Sequence, residues 1–335
     1  MSSTTDQSAA GAAGATVAAG LALSPAVAEF AQDALEGLAR PQKAISSKYF
    51  YDERGSALFD EITELDEYYP TRTERSILES SARSMAARLG PGCVLVEYGS
   101  GSSIKIRLLL DALESPAAYV PIDVSEEHLL RSAASIAADY PGLRVEPLVG
   151  DFTQPVTLPD SAPVAARRIA YFPGSTIGNF RPGDARTLLS GIASLVGEDG
   201  GALIGVDLEK PLSVLEPAYN DARGVTAAFN LNVLRRMNEE LAADFDLSSF
   251  EHLAFYNGDG HRIEMHLVSS VQQDVRVAGT LFQFDAGETI HTEYSHKYTP
   301  QRFDELARRS GLKIVESWTD PRDWFGVFYL EAASA

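Results

Sequence analysis

The sequence predicts a doubly wound α/β fold with a second, α+β part built from N-terminal helices and an insertion. Two observations predict it. Between residues 93 and 206, short apolar runs alternate with amphipathic helical stretches. The runs are apolar on both faces, as strands are when helices cover both sides of a parallel sheet. After Asp207 the alternation lapses until about residue 297 and period-2 segments replace it, which marks an insertion.

In chain order, residues 1–25 are rich in Ala, Gly, Ser and Thr and contain no Lys or Arg. A disordered tail is expected there. Ala13–Leu23 resembles a signal-peptide core but lacks a positively charged leader. From Ala26 to about Leu89 the pattern is helical, with Phe30, Ala34, Leu35 and Leu38, then Leu58, Phe59, Ile62 and Leu65, at helical spacing. Tyr49–Gly55 and Tyr68–Arg72 read as aromatic-polar loops that could line a pocket or simply pack. The strands expected next are Val94–Tyr98, Ala118–Ile122, Arg144–Val149, Arg168–Phe172 and Ala202–Val206, with helices such as Ser125–Asp139 and Ala185–Val196 between them. A helix over Val225–Leu241 precedes alternating segments at Arg262–Leu267, Leu281–Phe284 and Thr289–Tyr298, an antiparallel sheet with one face on a core. Thr299-Pro300 reads as the cap and first residue of a helix reaching Ser310. Strands Lys313–Trp318 and Phe325–Glu331 would complete the first sheet. The expected partition is 26–71 with 208–297 as a substrate-binding domain, and 72–207 with 298–335 as a nucleotide-binding one.

The 335 residues suffice for a sizeable core, and 45% hydrophobic with 22% charged residues is ordinary for a globular protein. The net charge of −19 argues against nucleic acid, whose affinity rests on Lys and Arg, and against an anionic membrane. The single cysteine, Cys93, excludes an internal disulfide and a multi-cysteine zinc site, and it reads as a buried thiol. The six histidines lack i, i+4 pairing on a helix, so no metal is expected. No run reaches the ~18 apolar residues that span a bilayer. A cytoplasmic monomer is expected.

Glu97-Tyr98-Gly99-Ser100-Gly101 follows the first strand and precedes a helix. Glycines there let the backbone turn and approach a ligand at the carboxyl edge of the sheet. Asp123 ends the second run and could accept from a ribose diol; Asp151-Phe152 follows the third and could pair with and stack on adenine. Either acid could instead cap a helix. Three features in phase point to a nucleoside. A dinucleotide fingerprint needs a third glycine five residues after Gly99, where Ile104 stands, and Lys105 lacks the Walker spacing. An acid, Glu97, just before the glycines suits a cation. S-adenosylmethionine, a sulfonium without phosphate, fits these features.

On the acceptor side, Gly174–Phe180 lies past the fourth strand, Tyr219-Asn220-Asp221 opens the insertion, and Glu293-Tyr294-Ser295 closes it. In a strand, Glu293 and Ser295 share a face. They could grip an imidazole, or they could form a polar face in water.

Here the chain resembles the histidine Nα-specific methyltransferases, which make hercynine in ergothioneine biosynthesis. The resemblance runs from about Tyr49 to Gly326. It is carried by Tyr-Phe-Tyr-Asp-Glu-Arg-Gly-Ser, Glu-Tyr-Tyr-Pro-Thr-Arg-Thr-Glu, Gly-Ser-Thr-Ile-Gly-Asn, Gly-Val-Thr-Ala-Ala-Phe-Asn, Arg-Ile-Glu-Met-His-Leu, Thr-Glu-Tyr-Ser-His-Lys-Tyr and Trp-Thr-Asp-Pro. The resemblance implies a Rossmann-like class I methyltransferase sheet. It implies that Gly99, Lys105, Asp123, Asp151 and Phe152 hold S-adenosylmethionine. It further implies that Asn179 and Tyr219 bind the substrate carboxylate, Tyr68, Glu293 and Ser295 the imidazole, that Met265 lines the ring pocket, and that Tyr51 lies near the amine as the candidate catalytic residue. Trimethylation of the α-amine of L-histidine follows as the expected activity. The alternatives are the same chemistry on another amino acid such as a tryptophan derivative, a nicotinamide-dependent oxidoreductase, and a cofactor-binding protein without catalysis.

Overall fold

The computed structural model describes residues 24–101, 103–159, 163 and 167–333. The expected tail therefore lies outside the described residues except at Ser24 and Pro25. There, the Ser24 hydroxyl accepts from the Val27 N–H at 3.3 Å and caps helix α1 (Pro25–Leu38), so these two residues belong to a helix start.

The chain divides into two compact units. The larger comprises residues 51–226, 254–265 and 293–333. Its framework is a seven-stranded sheet of β1 (Val94–Tyr98), β2 (Ala118–Asp123), β3 (Leu148–Val149), β4 (Arg168–Phe172), β5 (Gly201–Asp207), β11 (Leu312–Thr319) and β12 (Phe325–Ala332), in the order β11-β12-β5-β4-β1-β2-β3. β1 to β5 pair in parallel; β12 runs antiparallel to β5 and to β11, so it alone is reversed. Alternation along β1 builds a core on each face. Val94, Val96 and Tyr98 pack with α6 (Pro182–Val196) and α9 (Pro300–Arg309), whereas Cys93 and Leu95 pack with α3 (Tyr69–Leu89) and α4 (Ile104–Leu110). Cys93 is fully buried, and burial pushes its thiol pKa up. The strand order reverses between β1 and β4, and the ligand crevice of such a sheet opens at that point.

Three local differences have physical causes. The expected strand Arg144–Val149 is a two-residue β3 preceded by a lone bridge at Val145, because Pro147 has no N–H for the ladder. The Tyr68–Arg72 loop is instead the entry to α3: Tyr68 occupies the cap position, and Pro70 sits in the first turn, where its missing N–H costs nothing. The expected helix Ser125–Asp139 begins one residue later, as α5 (Glu126–Asp139), because the Ser125 N–H is taken by Asp123 Oδ1 at 2.8 Å and its side chain makes no cap.

The smaller unit comprises, among described residues, 24–50, 227–253 and 266–292. It holds α1, most of α8 (Val225–Glu240) and a hairpin of β8 (Gln273–Val277) and β9 (Thr280–Phe284). Phe30 stacks on Tyr49 at 4.1 Å, and Phe245, Phe250 and Phe284 meet edge to face at 5.6–6.2 Å. Strands β10 (Thr289–His296), β7 (Arg262–Ser269) and β6 (Phe250–Asn257) form a three-stranded sheet in that order.

The unit boundaries differ from the expected partition. Residues 51–71, 208–226, 254–265 and 293–297 cluster with the seven-stranded sheet. They are tied there by a bridge between Leu208 and Tyr298 and by polar bonds from Tyr69, Lys210 and Lys297 to Asp207 at the end of β5.

Candidate active site

All twelve residues singled out from the sequence lie in the larger unit. At the edge of the sheet, Gly99 takes φ +73°, which favours glycine, and a Cβ there would sit 3.4 Å from the Phe152 ring. The Gly99 and Ser100 N–H groups both donate to Ile122 O at 3.0 Å, which pins the glycine turn to the end of β2. Asp123 is half-buried and burial raises its pKa; Asp151 Oδ1 accepts from the Thr153 N–H at 2.8 Å. Each acid thus holds its own loop as a cap would. Phe152 meets Tyr98, Phe172 and Phe180 edge to face at 5.8–6.4 Å and forms an aromatic wall beside the turn.

The acid before the glycines faces inward. Glu97 is 3% exposed and accepts from the Tyr119 hydroxyl, and burial pushes its pKa to about 7 while Tyr119 and then Lys105 pull it down. Lys105 itself is paired with Glu74 at 2.6 Å, and both Glu74 oxygens accept from the Gly174 N–H at 3.0 Å. One buried carboxylate of α3 therefore joins the loop after β4 to the helix after β1. Glu74 ends the Glu-Tyr-Tyr-Pro-Thr-Arg-Thr-Glu motif, but no sequence feature shows what it faces.

On the acceptor side, the rings of Tyr51, Phe59, Tyr68 and Tyr219 form a chain with centroids 5.6, 6.2 and 6.5 Å apart. Burial raises the Tyr51, Tyr68 and Tyr219 pKa values well above 10, and Glu293 lies within electrostatic range of all three. They are neutral phenols at physiological pH. Glu293 and Ser295 share one buried face of β10, while Tyr294, on the other, is covered by the Arg262 guanidinium at 4.2 Å. Burial pushes the Glu293 pKa to about 7, against the pull of Lys297. Tyr219 and Ser295 are hydrogen-bonded at 2.7 Å. Met265 is buried on β7. Asn179 is half-buried at the end of a 3-10 turn, Thr176–Asn179, which His296 Nδ1 holds through Gly178 O at 2.8 Å. The structure thus brings Tyr51, Tyr68, Tyr219, Glu293 and Ser295 together, with Asp123 in electrostatic range of Tyr51. Among the described residues, no hydrogen bond links the Asn179 side chain to them.

Beneath this group lies a network absent from the sequence reading. Lys297, 1% exposed, donates to Asp207 Oδ2 at 2.7 Å, Tyr219 Oη at 2.8 Å and Ser295 Oγ at 2.7 Å. Asp207 also accepts from the Tyr69 hydroxyl at 2.7 Å and from Lys210. Burial pushes Asp207 up, but Lys297 and Lys210 outweigh it and lower its pKa.

The residues fit a cationic nucleoside: Glu97 and Asp123 lie within electrostatic range of each other beside the glycine turn, an acidic surround that a pyrophosphate would oppose. This sheet, with an acidic nucleoside edge beside a buried carboxylate and hydroxyl, belongs to an S-adenosylmethionine-dependent methyltransferase. The chain is a member of the S-adenosylmethionine-dependent, histidine-specific methyltransferase family, whose profile matches residues 30–332. It is 43% identical to the histidine N-alpha-methyltransferase of Mycolicibacterium smegmatis over 92% of this chain and 96% of that one. It is 41% identical to the enzyme of the same name from Mycobacterium tuberculosis, over 88% and 92%. It is also 28% identical to the 4-dimethylallyltryptophan N-methyltransferase of Aspergillus fumigatus, over 86% and 89%. Membership of a methyltransferase family sets aside the nicotinamide-dependent oxidoreductase. Among the described residues, no helix is long and apolar enough to cross a membrane.

Proposed function

We propose that the protein transfers three methyl groups in succession from S-adenosylmethionine to the α-amine of L-histidine, giving hercynine. The observation that carries this reading is the buried pair of Glu293 and Ser295 on one strand face, ringed by Tyr51, Tyr68 and Tyr219. A carboxylate beside a hydroxyl matches the two ring nitrogens of an imidazole. An indole offers one N–H and would leave a buried polar group without a partner, at a cost of about 1–3 kcal/mol. The two mycobacterial relatives support the same substrate by their names.

In this reading Tyr68, Glu293 and Ser295 hold the ring, with Met265 against its face, while Asn179 and Tyr219 hold the carboxylate. Gly99, Lys105, Asp123, Asp151 and Phe152 hold the cofactor, which supplies an electrophilic methyl group when bound. Fixing the substrate at both ends leaves the α-amine as the nucleophile on offer, and alignment is what the protein contributes. Tyr51 stands near that amine. As a neutral phenol it is no strong base, so the amine must arrive unprotonated, and the ring face tolerates the growing methylated cation. One chain carries every residue named, so a monomer suffices. Both small molecules are intracellular metabolites, which sets the reaction in the cytoplasm.

Mass spectrometry of isotope-labelled histidine incubated with the protein and S-adenosylmethionine is the test. A product heavier by three methyl groups is expected; an unchanged histidine peak removes the reading. The relative acting on a tryptophan derivative keeps the same chemistry on that class as the second reading, and competition between single amino acids separates the two.

A further inference from the structure

Asp207 closes β5 and is 1% exposed, and bonds run from it to several segments around the acceptor site. Its N–H donates to Ser175 Oγ at 2.8 Å, and its carbonyl accepts from the Tyr298 N–H at 3.0 Å. Its carboxylate accepts from the Tyr69 hydroxyl at 2.7 Å, from Lys297 at 2.7 Å and from Lys210. Three of these partners stand beside residues expected to touch the substrate. Ser175 is held at φ +57°, a conformation few side chains adopt, and its carbonyl accepts from the Gly178 N–H at 2.8 Å. It thereby opens the turn that ends in Asn179. Lys297 carries the connection on to Tyr219 at 2.8 Å and Ser295 at 2.7 Å. Tyr69 is the first residue of α3, and Tyr68 is its cap.

From this convergence we infer that Asp207 is the positioning residue of the acceptor site: one buried carboxylate and one backbone N–H set the places of Tyr68, Asn179, Tyr219 and Ser295 relative to one another. The inference rests on the reading above, in which those four residues hold the two ends of histidine. A charge is needed because a buried ammonium without a counter-charge gives up its proton or moves toward water. With the Asp207 charge gone, Lys297 loses the partner that keeps it protonated, and Tyr219 and Ser295 lose their common donor. The cofactor edge is tied down separately. Glu74 holds Lys105 and the Gly174 N–H, and Ile122 O holds the Gly99 turn. Removal of the Asp207 charge therefore falls on histidine and spares the cofactor.

Asp207→Asn tests this, because it keeps the side-chain shape and both backbone bonds and removes the charge. Its histidine KM should rise at least about tenfold, while S-adenosylhomocysteine binds by calorimetry within about twofold of wild type. An unchanged histidine KM would overturn the inference. So would an equal loss of affinity for both ligands, which is what general loosening of the fold gives. With Lys297→Met already in place, Asp207→Asn should raise the histidine KM by less than it does alone, because part of its effect runs through that lysine; full multiplication of the two effects would count against the assignment. Should Asp207→Asn fail to fold, Ser175→Gly decides. Glycine takes φ +57° readily, so this variant deletes only the hydroxyl that the Asp207 N–H grips. A histidine KM raised about three- to tenfold with S-adenosylhomocysteine affinity intact is expected, and no rise would overturn the inference. Wild-type protein that leaves histidine unmethylated would instead remove the proposed function, and the same comparison then runs on the amino acid that it does methylate.

Discussion

Glu293 is a buried carboxylate to which, among the described residues, no hydrogen bond is directed. Burial without a partner is costly unless a ligand supplies one. Glu293→Ala should therefore raise the histidine KM by roughly 30- to 150-fold, the loss of a charge-assisted hydrogen bond worth about 2–3 kcal/mol. Calorimetry with S-adenosylhomocysteine should show cofactor affinity intact; an unaltered histidine KM would remove the imidazole assignment. Neighbouring backbone matters at the same scale. A Cβ at Gly178 would lie 2.8 Å from His296 O, so Gly178→Ala must shift the turn that ends in Asn179. A loss of about 1–3 kcal/mol in stability together with a raised histidine KM is expected, read from denaturant melts and initial rates. A shared face for Glu293 and Ser295 followed from period 2 alone, and the same parity reaches Lys297. What periodicity could not show is that Asp207, ninety residues earlier, supplies the counter-charge that lets a lysine lie buried there.

Helix α3 links the end of β5 to the helix after β1 through two side chains. Its Tyr69 hydroxyl reaches Asp207, and one turn on, Glu74 clasps Lys105 and the Gly174 N–H. A Cβ at Gly205 on β5 would overlap the Glu74 carboxylate, so this glycine gives the acid room. Glu74→Gln keeps an acceptor for Gly174 but loses the charge that holds Lys105. The expected outcome is a raised KM for S-adenosylmethionine, by about tenfold, with a smaller effect on histidine. A variant in which only the histidine KM moves would show that Lys105 serves the other end. The helices of this layer were legible because their apolar positions repeat at 3.6, and the parallel strands because they are short continuous apolar runs, buried along their whole length in β1 and β5. The β8–β9 hairpin was less so: its turn places Ala278 and Gly279 both at positive φ, a conformation signalled by Asn-Gly far more strongly than by Ala-Gly. The partition drawn from the sequence puts Tyr69 with the N-terminal helices and Lys210 and Lys297 with the insertion, yet all three bond to Asp207 at the end of β5.

For the molecule as a whole, the acidity visible in composition has a consequence that burial decides. Glu97 and Glu293 are each raised from 4.5 to about 7, chiefly by burial, and Asp123 is raised for the same reason. A raised acid binds its proton more tightly folded than unfolded, so between about 4.5 and 7 the folded state carries more protons and stability falls as pH rises. His296, lowered below 6.5 by burial, opposes this at the acid side of the window, one group against four once Asp60, also raised by burial, is included. Lys210, lowered to about 8 by burial, acts only above that pH and in the stabilising direction. At the acid end, Asp207 and Asp221 are lowered despite burial, the first by Lys297 and Lys210 and the second by the Thr226 and Val225 N–H groups. Their contribution is present above the ordinary aspartate value and lost as pH falls below it. Maximum stability should then lie on the acid side of neutral. Glu97→Gln can still accept from Tyr119 but carries no charge, so it should raise Tm by several degrees at pH 8 and leave it nearly unchanged at pH 5, given about 1.4 kcal/mol per unit of pKa shift. Thermal melts of wild type and variant at both pH values test this. Equal gains at the two pH values would mean that packing, not the ionisation of Glu97, sets the difference.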